Sequence, residues 1–170
     1  SVETAIQYYN AFMIKELKDL RVFNPIQFLR MTSIFQCYEI FTYLLSFIKK
    51  PKDAIDVKES LESSFNGASK SGCYRIINFL IENNLISPNI ETIIYKPLKN
   101  YNPVILASKR GNLRVLKVLL KFRNNKNIRF SFNCRSTTKM APIHFAAKSK
   151  SLDVVKFLSS LDEVNINDKV

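Results

Sequence analysis

The sequence predicts an all-α protein built from repeated helix pairs, and three observations lead to this prediction. Apolar residues recur at spacings of three and four along most of the chain, which is the period of an amphipathic helix. The 170 residues include only three Gly and six Pro, too few for a β-structure rich in turns. Several residues also recur at a spacing of 39, namely Pro103 and Pro142; Ala68, Ala107 and Ala146; Leu80, Leu119 and Leu158; and Lys70, Lys109 and Lys148.

The first 52 residues are predicted to form an N-terminal helical cap or a degenerate repeat. The predicted helices here are 2–20, 25–30 and 34–49. Pro25 suits the first position of a helix, and Thr32 or Ser33 can cap the helix that follows. The segment 34–49 is apolar almost all round, so we expect it to be buried. Pro25 lies 39 residues before Ser64, which predicts that the same period extends into this region.

Residues 53–170 are predicted to form about three divergent repeats, which continue from the cap as one solenoid. Their bounds are roughly 53–100, 101–139 and 140–170. The predicted helices are 53–70, 73–83, 103–110, 113–122, 141–147 and 152–159. Long loops are predicted at 84–100, with one helical turn near Glu91, and at 124–139. A single helix pair cannot bury both of its faces, so neighbouring pairs must stack side by side.

The most informative motif lies in residues 141–170, APIHFAAKSKSLDVVKFLSSLDEVNINDKV. Pro-x-His is followed by two alanines, then by Val-Val and a Leu, and then by Val-Asn-x-x-Asp. This order resembles an ankyrin repeat, whose pattern is T-P-L-H-x-A-A, then V-V-x-x-L-L, then V-N-x-x-D. The resemblance implies a helix–turn–helix solenoid that serves as a binding scaffold. It also implies structural roles for Pro103, Ala107, Gly111, Pro142, His144, Ala146, Ala147, Asn165 and Asp168.

The other segments match the ankyrin pattern less closely. Ile105 replaces the usual His of the middle repeat, and the segment 64–86 lacks the Pro-x-His turn. Lys150 stands where the family usually has Gly, so we expect a distorted turn there. The period of 39 exceeds the usual 33 residues, so each loop is about six residues longer. The resemblance therefore covers residues 60–170 well and residues 1–59 poorly.

No residue is predicted to catalyse a reaction or to bind a cofactor or metal ion. The chain contains no G-x-G-x-x-G motif, no Walker loop and no nucleophile elbow. His144 is the only histidine, and no second His, Cys or carboxylate stands at ligand spacing from it. We therefore expect a structural role for His144 and no enzymatic activity.

The net charge of +12 is distributed unevenly. The stretch from Thr92 to Leu152 contains 14 Lys and Arg but no Asp or Glu, whereas the rest of the chain is close to neutral. Within it, Ile128, Phe130 and Phe132 alternate with polar residues, which is typical of a strand with one apolar face. The predicted partner-binding residues are Lys109, Arg110, Arg123, Lys126, Arg129, Phe130, Phe132, Arg135 and Lys148.

Two interpretations of this basic stretch remain open. It is either a binding face, in which arginines chelate carboxylates or phosphates, or a solvated surface. The high content of Lys, Asn and Ile suggests an AT-biased coding sequence, which would enrich Lys and Asn without any function. Codon bias does not by itself remove every acid from so long a stretch. The aromatic residues of the loop, on the second interpretation, simply pack against the helices.

The sequence favours a protein-interaction module that binds an acidic partner surface. One alternative is a nucleic-acid or anionic-lipid binder that uses the same basic residues, although no zinc finger or RNA-binding motif supports it. Another is a purely structural segment of a longer array. A chain that starts without Met and stops where a further repeat could begin leads us to expect a piece of a longer protein, monomeric when alone.

Cysteine usage and hydropathy predict an intracellular protein. Cys37, Cys73 and Cys134 are odd in number and widely spaced, which favours a reducing compartment over a disulfide framework. No apolar run reaches the length of a membrane-spanning helix. Divergent ankyrin proteins rich in Lys, Asn and Ile are common in AT-rich microbes, intracellular parasites and large viruses. In those last two cases we expect the protein inside a host cell.

Overall fold

The structure, a computed structural model, describes residues 25–48, 55–93, 101–126 and 128–167. The predicted helix over 2–20 and Asp168 lie outside these residues. The α-helices are α1 (Pro25–Ile34), α2 (Tyr38–Ser46), α3 (Ile55–Ser71), α4 (Tyr74–Glu82), α5 (Pro103–Lys109), α6 (Leu113–Lys126), α7 (Pro142–Lys148) and α8 (Leu152–Ser159). A 3₁₀ helix spans Ile90–Thr92, at the helical turn predicted near Glu91. The described ranges contain no β-strand, so the all-α prediction is confirmed for them.

The backbone contacts divide the chain into two compact units, with the boundary between Ile86 and Ser87. In unit 1, α1 packs along α3 and α2 packs against α4. A Cβ atom added to Gly67 would lie 3.3 Å from Ile34 Cγ1, so the missing side chain lets α1 and α3 approach closely. Two serine hydroxyls join the same helices, since Ser60 donates to the Ile26 carbonyl and Ser71 to the Ser33 carbonyl.

The boundary between α1 and α2 differs from the prediction of helices over 25–30 and 34–49. The hydroxyls of Thr32 and Ser33 do not cap a new helix; both donate to the Leu29 carbonyl, at 2.7 and 3.1 Å. Such back-bonding is compatible with a helix interior, so α1 continues to Ile34. The chain then turns at Gln36, and α2 begins at Tyr38.

In unit 2, the pair α5–α6 stacks against the pair α7–α8, mainly through α5 and α7. Pro103 and Pro142 begin α5 and α7, where a missing backbone N–H has no cost. The Asn102 side chain caps α5 by accepting a hydrogen bond from the Ile105 N–H at 3.0 Å. Helix α6 runs to Lys126, about one turn past its predicted end, because no Gly or Pro interrupts residues 121–126.

The same type of turn joins the two helices of each described pair. A residue with positive φ follows the first helix, and the next backbone N–H bonds the carbonyl five residues earlier, which is the Schellman arrangement. The positive-φ residues are Gln36, Gly72, Gly111 and Lys150. The matching bonds are Cys37 to Thr32, Cys73 to Ala68, Asn112 to Ala107 and Ser151 to Ala146, all between 2.7 and 3.0 Å.

This recurring turn corrects two predictions. The positive-φ residues lie 36, 39 and 39 positions apart, so the period of 39 inferred from Pro25 and Ser64 does not extend to the first pair. The turn at Lys150 is also not distorted. Lys150 adopts φ of 59° and keeps the hydrogen bonds that surround Gly111, although its side chain makes this conformation costly.

Two substitutions at equivalent turns are expected to change stability in opposite directions. Gly111→Ala should destabilise the fold by about 1–2 kcal/mol, because φ is +71° and the new Cβ would lie 2.6 Å from Ser151 Oγ. Lys150→Gly should stabilise it by up to about 1 kcal/mol, since Gly adopts positive φ without strain but loses more entropy. Urea denaturation followed by circular dichroism measures both. Changes of the same sign would contradict the equivalence of the two turns.

Candidate functional site

Three predicted binding residues lie at the C-terminal end of the first helix of a pair in unit 2. Lys109 is the last residue of α5, Arg110 follows it as the C-cap, and Lys148 is the last residue of α7. Arg110 and Lys148 are exposed, whereas Lys109 is half-buried. The Lys109 ammonium lies 4.8 Å from the centroid of the Tyr101 ring, within the range of a cation–π contact. The structure therefore places basic groups in the same position of two successive repeats.

A pocket of about 370 Å³ lies between these repeats. Its described lining residues are Tyr101, Lys109, Thr138, Met140, Phe145, Lys148 and Ser149. The rings of Tyr101 and Phe145 meet edge to face with their centroids 5.1 Å apart. The pocket thus combines an aromatic wall with two lysine side chains. Both lysines were predicted to bind a partner, whereas the pocket itself was not predicted.

The loop between α6 and α7 is more irregular than its sequence pattern predicts. Ile128 and Phe132 are buried and Arg129 is exposed, as the alternation indicates, but Phe130 is only half-buried. The backbone forms one isolated parallel bridge between Asn89 and Arg129 instead of a strand. In this bridge the Arg129 N–H donates to the Pro88 carbonyl at 2.7 Å.

Two carboxylates from outside the acid-free stretch bind this loop. Glu91 accepts a hydrogen bond from the Ser131 N–H at 2.6 Å. Glu163 accepts from the Ser131 hydroxyl at 3.0 Å and from the Phe132 N–H at 3.2 Å, and it pairs with the Arg123 guanidinium. The two acids therefore satisfy backbone donors that the irregular loop cannot pair within itself.

Two of the predicted binding residues are used for packing instead. The side chain of Arg123 is 25% exposed, and its guanidinium lies 5.3 and 5.0 Å from the ring centroids of Phe130 and Phe132 as well as against Glu163. Phe132 is fully buried, and its ring also meets Phe157 edge to face at 5.8 Å. A partner cannot reach Phe132, and binding through Arg123 would first have to break its ion pair.

The contacts of Glu91 and Glu163 with the loop were not predicted, because both acids lie outside the basic stretch in the sequence. Arg123 and Glu163 are 40 residues apart, as are Glu91 and Ser131. This separation is one residue longer than the period of 39. A search for acids about one period away from the basic loop residues could therefore have revealed both contacts.

The remaining predicted binding residues are distributed along the same unit. Arg135 is exposed, and its guanidinium donates to the Lys139 carbonyl at 3.2 Å. Arg129 is exposed beside the bridge to Asn89. Lys126 ends α6, and its side chain lies outside the described part of the structure.

The family-motif residues have mainly local structural roles. His144 Nδ1 accepts a hydrogen bond from the Ala141 N–H at 3.0 Å, at the start of its own helix. Ala146 is fully buried, but Ala147 is exposed, so only the first of the two alanines provides close packing in unit 2. Asn165 closes a turn by accepting from the Asn167 N–H at 3.0 Å.

Within the described ranges, no group of three or more His, Cys, Asp or Glu is arranged to hold a metal ion. In the same part of the chain, no helix combines the length and apolar character needed to cross a membrane.

Cys134 connects the loop to the start of α5. Its thiol accepts a hydrogen bond from Asn102 Nδ2 at 3.2 Å, while Oδ1 of the same amide caps α5. Burial raises the pKa of the Cys134 thiol to about 11, although the hydrogen bond from Asn102 opposes the shift. All three cysteines are free thiols.

Cys134 should therefore give the protein a specific pH dependence. A pKa raised on folding contributes stability that is complete below pH 9, the ordinary value of the thiol, and is lost as the pH rises towards about 11. We expect the free energy of unfolding to fall more steeply over this interval in the wild-type chain than in Cys134→Ser. Urea denaturation of both at a series of pH values measures the difference. Parallel curves would contradict a raised pKa.

Removal of the Glu163 charge should loosen the loop. Glu163→Gln leaves the half-buried Arg123 without its counter-charge, and we expect a loss of about 1–2 kcal/mol of stability. The matched control is Glu39→Gln, which breaks the exposed pair with Arg75 and should cost much less, because water screens that pair. Urea denaturation measures both, and hydrogen exchange of the Phe132 amide reports on the loop directly. Equal losses would show that Glu163 contributes no more than a surface pair.

Comparison with known proteins agrees with this architecture. A family model described as ankyrin repeats (3 copies) matches residues 65–169. No curated protein matches the chain. Ankyrin repeats are generally protein-interaction modules and typically act as scaffolds without enzymatic activity.

The match covers more than half of the chain and agrees with the region in which the sequence resembles the repeat pattern. The buried alanines, the recurring turn and the stacked helix pairs of unit 2 have the arrangement that this pattern implies. The chain therefore belongs to the ankyrin repeat family.

Proposed function

We propose that this chain is a protein-interaction module that binds an acidic surface of a partner protein through basic residues of unit 2. The observation that carries the proposal is an imbalance of exposed charge. Exposed basic residues of the acid-free stretch are Arg110, Arg114, Lys117, Lys121, Arg129, Arg135, Lys139, Lys148 and Lys150. The two acids that contact its loop, Glu91 and Glu163, are engaged by groups of the same unit.

The basic surface comprises those predicted binding residues that are exposed or half-buried and have no packing role, namely Lys109, Arg110, Arg129, Phe130, Arg135 and Lys148. Arg123 and Phe132 are left out because of their packing roles. A surface of one sign steers an oppositely charged partner during diffusion and increases the association rate. Arginine adds planar geometry that can bind a carboxylate through two parallel hydrogen bonds.

An intracellular site of action is part of this proposal. Cys37 and Cys73 are buried free thiols and Cys134 is a half-buried one. Free thiols persist in a reducing compartment. For a parasite or virus, the compartment would be the interior of the host cell.

The proposal predicts a charge-specific loss of partner binding. Arg110→Glu combined with Arg129→Glu should weaken the complex about tenfold or more, equivalent to about 1.4 kcal/mol, because two exposed cations become anions. Partners are first recovered from nuclease-treated lysate on the immobilised wild-type chain and identified. The dissociation constant of each purified partner is then measured for both chains at low and high ionic strength.

A matched control separates this surface from total charge. Lys58→Glu with Lys156→Glu makes the same change of net charge at exposed positions outside the acid-free stretch. Circular dichroism establishes that both double variants are folded. Equal weakening by the two variants would contradict a specific basic surface. Retention of nucleic acid alone, released by salt, would favour the nucleic-acid alternative, since phosphate binding depends steeply on ionic strength.

A further inference from the structure

The pocket between α5 and α7 has a composition that points to a particular ligand. Resting on the proposed function, we infer that it is the specificity site of the basic surface. It would take two adjacent side chains of a partner peptide, an acidic residue and an aromatic or aliphatic neighbour. Four features of the pocket indicate such a ligand: its apolar wall, its charges, its position at helix ends and its volume.

The apolar wall is suited to a hydrophobic side chain. Tyr101 and Phe145 pack edge to face, which holds the two rings in a fixed mutual orientation. Met140 completes this wall from the loop, and it is half-buried. A thioether is flexible and polarizable, so it can adjust to guests of different shape and contacts aromatic rings favourably.

The charged part of the pocket selects an anion. Lys109 and Lys148 both line it, and none of the described lining residues carries a carboxylate. All of the described lining residues fall in the stretch from Thr92 to Leu152, which contains no Asp or Glu. The acids nearest to them in the sequence therefore lie outside this stretch. A guest with an acidic group would therefore meet two positive charges without a competing internal counter-ion from the lining.

Two of the three hydroxyl-bearing residues that line the pocket, Ser149 and Thr138, form hydrogen bonds within the chain. Ser149 Oγ donates to the Ala146 carbonyl at 3.1 Å. Thr138 Oγ1 and Ser136 Oγ lie 2.9 Å apart in a hydrogen bond of their own. The charged donors of the lining are the two lysines, so recognition of an acidic group depends on charge more than on neutral hydrogen bonding.

The position of the pocket favours a carboxylate over a phosphate. Lys109 and Lys148 end α5 and α7, so the pocket lies near helix C-termini, whose carbonyl ends carry partial negative charge. Phosphate sites commonly use helix N-termini, backbone N–H groups or clustered arginines, and no arginine is among the described lining residues. A monoanion suits two lysines at such a position better than a dianion does.

The volume limits the size of the guest. About 370 Å³ is near the lower end of the range of roughly 300–1,000 Å³ that is usual for ligand pockets. This space accommodates a side chain with its neighbour, whereas a folded element of the partner would have to remain outside. The pocket would therefore act as an anchor within a larger interface.

The inference is tested with blocked hexapeptides added to the full chain labelled with ¹³C at its methionine methyl groups. The probe is Ac-Gly-Ser-Glu-Phe-Ser-Gly-NH₂, and three comparison peptides replace Glu by Gln, Phe by Ser, or Glu by phosphoserine. Met140 reports from inside the pocket, and Met31, in α1 of unit 1, is the internal control. Met140→Leu assigns the reporter signal.

We expect the Glu-Phe peptide to shift the Met140 signal saturably without shifting that of Met31. Replacement of Glu or of Phe should weaken binding by about fivefold or more, as should Lys109→Gln combined with Lys148→Gln. Thr138→Trp, an exposed substitution at the rim, should block the pocket while both charges remain. The control is Lys117→Gln with Lys121→Gln, which removes the same number of charges from exposed positions of α6 and should have little effect.

Three results would overturn the inference: no shift of Met140, equal binding of the Gln peptide, or tighter binding of the phosphoserine peptide. Binding of the identified partners to the two double variants shows whether only the pocket inference fails or the proposed function fails as well. Loss of partner binding in the Arg110 and Arg129 variant, but not in the Lys109 and Lys148 variant, rejects the pocket and retains the basic surface. No loss in either variant rejects both.

Discussion

The left-handed turn between paired helices is the constraint on which the described helix pairs depend. In each pair it reverses the chain within three residues, and its bond runs from an N–H to the carbonyl of a buried position, occupied by Thr32, Ala68, Ala107 and Ala146 in successive pairs. A small side chain at this position accompanies the close approach of neighbouring helices. The recurring alanines in the sequence therefore mark positions that both accept this backbone hydrogen bond and pack closely against a neighbouring helix.

Much of this architecture could be predicted from the sequence, because Gly, Pro and apolar spacing act locally. Gly72 and Gly111 identified two turns, and Pro103 and Pro142 identified two helix starts. Gln36 gave no comparable signal, since only the surrounding packing makes a residue with a Cβ accept positive φ. The boundary near Thr32 was misplaced for a related reason, because a hydroxyl can cap a helix or bond back within it, and local sequence does not decide between the two.

Less of the candidate site could be predicted from the sequence. The basic residues can be counted there, but the groups that each of them contacts in the fold cannot be read from it. Lys109 and Lys148 were recognised as basic and repeated, and the structure places both on one pocket. Arg123 looked equivalent to them, yet Glu163, forty residues away, draws it into the packing of the loop. Phe132 followed the same alternation as Phe130, but only Phe132 is fully buried. These differences arise from contacts between repeats, which a single repeat cannot encode.

The same turn also explains why the pocket carries its charges where it does. Lys109 and Lys148 each precede a positive-φ residue by two positions, so the repeat fixes both at the last residue of a helix. There a cation stabilises the carbonyl end of the helix, and stacking of α5 on α7 brings the two helix ends to one pocket. A residue that is favourable for helix stability in one repeat thus becomes, through stacking, one of two lysines that line the same pocket. In the binding mode that we propose, the charge of the pocket therefore arises from a helix-capping preference repeated at the period of the fold.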